Sequence, residues 1–108
     1  MKGLGLIVAF LVGGQTVLAD GYVMGSGRWT CDRVVAASNG SEIERGQVYG
    51  WILSAWSQET FHRETGFIDT VERVGGLKIV DLTLAECRKA PPDAPLFRVV
   101  QSMMKNTY

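Results

Sequence analysis

SEIERGQVYGWILSAWSQETFH, residues 41–62, decides the fold. Ser41 and Glu44 stand in the S-x-x-E arrangement of a helix start, in which the serine hydroxyl accepts from the third amide and the glutamate reaches back. Beyond them Val48, Ile52, Ala55, Trp56 and the aliphatic stem of Glu59 recur at intervals of three and four, one face of a helix. Tyr49, Leu53 and Trp56 form an adjoining row, and Trp51 widens the apolar side further. The spacing predicts one long helix over 41–62, packed on more than one side. Gly50 costs about 1 kcal/mol in a helix interior relative to Ala, and close approach of another backbone is the expected compensation.

Shorter helices flank it. Thr30 is placed as the cap of a helix running through CDRVVAA and stopped by Asn39-Gly40. After the long helix, FIDTVERV lies between Gly66 and Gly75-Gly76 and carries Phe67, Ile68, Val71 and Val74 at helical spacing, with a strand as the less favoured alternative. LKIVDLTLAECRKA follows, with Ile79, Leu82, Ala85 and Glu86 in helical register, and Pro91-Pro92 ends it. Asp93 is expected to cap the last helix, with Pro95 in its first turn and Leu96, Val99, Val100, Met103 and Met104 along one stripe. The fold class is therefore all-α, a single-domain bundle of four to five helices.

The domain is expected to span residues 29–108. Lys2, the apolar run GLGLIVAFLVGG and the VLA before Asp20 form the pattern of a secretory signal peptide over residues 1–19, cleaved after Ala19, with an uncleaved anchor as the alternative. That apolar run is shorter than the roughly 20 residues of a membrane span. GYVMGSGR extends this leader into a glycine-rich segment, and residues 20–28 are expected to be a flexible lead-in. The localisation implied is periplasmic or secreted, with no membrane association once the signal is removed.

Cys31 and Cys87 are the only cysteines. In an oxidising compartment such a pair reads as a disulfide. Closing that loop should stabilise a chain of this size by roughly 4 kcal/mol. The competing reading pairs a Cys31 thiol with His62 as its base. Neither cysteine lies in a C-x-x-C, one histidine cannot make a zinc set, and the acids form no calcium loop, so neither metal nor cofactor is expected. The acid pairs Glu42/Glu44, Glu59/Glu64 and Asp69/Glu72 have no accompanying group, and no catalytic residue is assigned. Beyond residue 19, eleven acids face ten scattered Lys and Arg, a net of about −1, without the basic stripe that nucleic acid requires. In strong acid the same chain would carry about +12.

What remains is a protein-binding function. Tyr49, Trp51, Ile52 and Trp56 are the candidate partner surface, with core packing as the competing reading and Trp51 as the residue expected to reach a partner. The order of the early WTC (29–31), the central YGWILSAW (49–56), the late AECRKAPPDAPLF (85–97) and the closing amphipathic helix resembles the HdeA/HdeB family of periplasmic acid-stress chaperones. The Rap1a/Tai immunity proteins are similar in the same central stretch. The first resemblance implies a homodimer at neutral pH that acid loosens, exposing apolar surface to unfolded clients while a Cys31–Cys87 bridge holds the chain together. The second implies one dedicated partner at neutral pH. Binding is expected over catalysis in either case.

Overall fold

Five α-helices follow one another in the computed structural model, which describes residues 21–107: α1 (Cys31–Ser38), α2 (Glu42–Thr60), α3 (Thr65–Val74), α4 (Gly76–Lys89) and α5 (Leu96–Lys105). There is no strand among the described residues, and the bundle is stapled by a disulfide between Cys31 at the start of α1 and Cys87 in the last turn of α4, Cα atoms 5.2 Å apart. The expected signal segment lies outside the described residues.

α2 starts as its sequence dictates. The Ser41 hydroxyl accepts from the Glu44 amide at 3.2 Å, and the Glu44 carboxylate accepts from the Ser41 amide at 3.2 Å, so two amides that the first turn leaves unpaired are satisfied. The helix buries Val48, Ile52 and Trp56. α1 and α4 cover it from one side, with Val34, Ala37, Val80 and Leu84 closing the core, and Phe67 of α3 and Leu96, Val100 and Met104 of α5 complete it.

α3 and α4 are joined without a loop. Gly75, at φ +86°, is the C-cap of one and the N-cap of the other, a conformation that favours glycine. On α4 the buried residues are Ile79, Val80, Thr83, Leu84 and Cys87, whereas Leu82 is exposed and Ala85 and Glu86 are not core. The register is thus turned from the one the apolar spacing predicts. Cys87 must face Cys31, and that orients Val80, Thr83 and Leu84 inward with it. Thr83 is accommodated because its hydroxyl donates to the Ile79 carbonyl at 2.8 Å.

The last helix begins at Leu96 with Pro95 in the cap position, not with Asp93 as cap and Pro95 in the first turn. The cause is a cross-connection to the entry of α1. The Cys31 amide donates to the Ala94 carbonyl at 2.8 Å, the Leu96 amide to the Trp29 carbonyl at 2.9 Å and the Asp32 amide to the Pro92 carbonyl at 3.1 Å, which fixes a turn at Pro92-Asp93 and keeps Pro95 extended, outside the helix.

The stretch expected to be a flexible lead-in contains a turn of 3-10 helix, Gly25–Arg28, in which Ser26 and Gly27 are buried. The Ser26 hydroxyl donates to the Gln47 carbonyl of α2 at 2.9 Å. Gly27 lies so close to the Trp51 indole that a Cβ there would sit 2.2 Å from two ring atoms. Gly50 is the reverse case: a Cβ built on it meets nothing within 4 Å, so the expected close approach of another backbone of this chain does not occur.

Candidate functional site: the aromatic seam of the central helix

The four residues of the expected partner surface are dispersed. Ile52, 0% exposed, and Trp56, 5% exposed, belong to the core. Trp51 is half-buried under the Gly25–Arg28 turn, and Tyr49 is half-buried at the edge of the same helix. The structure therefore offers no continuous surface made of Tyr49, Trp51, Ile52 and Trp56. Three tryptophans in a thin bundle have been divided: Trp56 packs inward, Trp51 against the chain's own lead-in, and Trp29 under Arg33, whose guanidinium lies 3.8 Å from the ring centre.

Trp56 occupies the seam between α2, α3 and α5. Its ring runs parallel to that of Phe67, centroids 6.0 Å apart, an offset arrangement at the long end of the favourable range. Its indole Nε1 is buried with no hydrogen-bond partner among the described residues. A buried donor left unpaired costs about 1–3 kcal/mol relative to water, so this ring is held in place by apolar packing against a standing penalty. Beside it, Val71, Val74, Ile79, Leu82 and Met103 line a cavity of about 120 Å³.

Arg63 fastens the seam, a role that sequence reading missed. Its guanidinium lies 3.9 Å from the Phe67 ring centre and donates to the carbonyls of Met104 at 3.3 Å and Thr107 at 3.4 Å, tying the α2–α3 corner to the end of α5. Two carboxylates hold it there, Glu59 at 3.2 Å and Glu64 at 3.2 Å. The Glu64 carboxyl is held below its ordinary value, first by its own backbone amide and then by the Arg63 guanidinium. Asp32, at the start of α1, is lowered likewise by the Thr30 hydroxyl and the Arg33 amide. The i,i+4 spacing of Glu59 and Arg63 was a visible signal, but nothing in the sequence places α5 within reach of Arg63.

The remaining candidates do not converge. Cys31 and Cys87 are joined to each other, so Cys31 holds no thiol for His62 to activate, and His62 is exposed. Among the described residues no three of His, Cys, Asp and Glu come together as metal ligands, and no helix is long and apolar enough to cross a membrane. Comparison with family models, with curated proteins and with solved structures finds no match to this chain.

Proposed function

We propose that this is a small exported binding protein whose apolar surface is latent, closed at neutral pH and opened in acid to hold unfolded clients, in the manner of a periplasmic stress chaperone. The observation that carries the reading is the seam at Trp56. A large aromatic with an unpaired N–H is covered by α3 and α5, and that cover is fastened by an arginine whose counterions are carboxylates. Opening the seam loses packing but returns the indole N–H to water, which offsets part of the cost.

Acid acts on the fastening in a definite direction. Because the folded protein holds Glu64 below its ordinary value, the group contributes stability above the unfolded value and loses it as pH falls through the folded one. Asp32 behaves the same way at α1. Protonation also leaves the chain strongly positive, and self-repulsion favours expansion. The Cys31–Cys87 bridge then keeps α1 and α4 together while α3 and α5 move. A disulfide is compatible with the oxidising compartment that export implies.

The test is a titration of the oxidised protein from pH 7 to pH 2, reading tryptophan emission, binding of an apolar dye and the solubility of an aggregation-prone client. The expected result is a red shift, dye binding and client protection together, below the ordinary carboxylate range. Client aggregation at every pH refutes the chaperone reading. A second reading, a dedicated partner at neutral pH, is favoured by the large apolar side chains left open in the closed state, Ile43, Phe61 and Leu77. It predicts one tight complex at pH 7 and no acid response.

A further inference from the structure

The cavity beside Trp56 has a lining that narrows what it can hold. Its walls are apolar except for Trp56, Thr70 and Thr107, and no charged side chain lines it. Both hydroxyls are already engaged. Thr70 donates to the Gly66 carbonyl at 2.8 Å and accepts from the Arg73 guanidinium at 3.4 Å, and Thr107 donates to the Met103 carbonyl at 2.7 Å. The Trp56 indole N–H is thus the one side-chain donor of this lining that has no acceptor among the described residues, and it belongs to a ring only 5% exposed.

Size and access point the same way. The space is about 120 Å³, a little under the apolar cavity of about 150 Å³ that takes benzene, so it suits a ring of roughly six or seven non-hydrogen atoms. Val74 and Leu82, 37% and 41% exposed, are its most exposed apolar members and mark a mouth between the end of α3 and the middle of α4. Water suits this site poorly, because a buried water makes about three hydrogen bonds and the lining side chains offer one donor and two engaged hydroxyls. An ion suits it no better, since it would give up its hydration with no counterion in reach. What fits is a small, uncharged, mostly apolar molecule that brings one acceptor.

We propose that this cavity binds a small uncharged molecule carrying a carbonyl oxygen, in the class of a cyclic ketone or lactone, with the Trp56 N–H as its donor. The N–H is covered as the ring stands, and turning the ring toward the space it borders is the movement that presents it to an acceptor there. The surroundings permit that movement. The stack on Phe67 is loose, with centroids 6.0 Å apart, and the half-buried Met103 is an unbranched, adaptable side chain. Binding then gives the buried donor the partner that the fold withholds, which is the source of selectivity for oxygen. A molecule of the same shape without the oxygen fills the space and leaves the N–H unpaired. The site belongs to the closed protein at neutral pH and does not depend on the acid response.

The test is a nuclear magnetic resonance titration of the oxidised protein at pH 7, with cyclohexanone as the probe. Methylenecyclohexane, the same ring with CH2 in place of the oxygen, is the control. The indole N–H resonance of Trp56 is identified as the one missing from Trp56→Phe. Cyclohexanone is expected to move it downfield and to saturate with a dissociation constant of about 1 mM, the scale for so few atoms, while the Trp29 and Trp51 resonances stay. Methylenecyclohexane should shift the Val71 and Ile79 methyl resonances without the downfield movement of the indole. Val74→Phe, which narrows the mouth from the exposed end of α3, should weaken both probes at least tenfold, with Leu82→Phe at the opposite lip serving if the first variant does not fold. No saturable shift up to about 20 mM overturns the proposal. So does undiminished binding in the folded mouth variant, or an indole resonance that responds alike to both probes.

Discussion

Gly27 shows how much a single hydrogen atom decides here. With any side chain at this position the Gly25–Arg28 turn cannot lie on Trp51, since the first added atom would fall 2.2 Å from the ring. Gly27→Ala is therefore expected to destabilise the protein by about 1–3 kcal/mol, the range of an overpacked site. Denaturant unfolding should show the loss, and a red-shifted emission should report Trp51 released to water. Glu64 belongs to the same scale. In Glu64→Gln the stability that the folded protein draws from a lowered carboxyl is absent at every pH. The acid unfolding of this variant should begin from a lower plateau and depend less steeply on pH, which a titration monitored by circular dichroism would reveal. An unchanged profile would mean that Glu59 and the Met104 and Thr107 carbonyls hold Arg63 without Glu64.

Among the elements, α2 carries most of the information. Its capping box, its extent to within two residues and the apolar row that holds Val48, Ile52 and Trp56 are legible in the spacing of 41–62. The same spacing could not say which of Trp51, Ile52 and Trp56 would be covered, because an apolar face this wide exceeds what one neighbour can bury and the choice falls to distant segments. The register of α4 escaped the sequence for a comparable reason: the constraint that turns Val80, Thr83 and Leu84 inward comes from Cys31, 56 residues away from its partner. The glycine-rich segment suggests flexibility because glycine reports backbone freedom, whereas at Gly27 it serves close packing against an aromatic. Gly50 isolates the intrinsic cost of glycine in a helix interior. Gly50→Ala has open space around its new methyl and should stabilise the helix by about 1 kcal/mol, measurable as a higher denaturation midpoint.

For the molecule as a whole, the disulfide is the covalent tie between segments 56 residues apart. Replacing Cys31 and Cys87 by serine is expected to cost about 4 kcal/mol. Native domains hold only about 5–15 kcal/mol in total. The variant should be largely unfolded near 37 °C, and calorimetry with and without reductant would measure it. The bridge also stands beside the backbone bonds between residues 29–32 and 92–96, so covalent and hydrogen-bonded closure fall at one end of the bundle. The opposite end, where α3 meets the rest, depends on apolar contact and on Arg63. That polarity sets an order for the loss of protection in a molecule brought slowly toward unfolding. Amides around Val34, Cys87 and Leu96 should be the last to take up deuterium, those of α3 should be among the first, and the interval between the two would be a clock for how far the seam opens before the fold is lost.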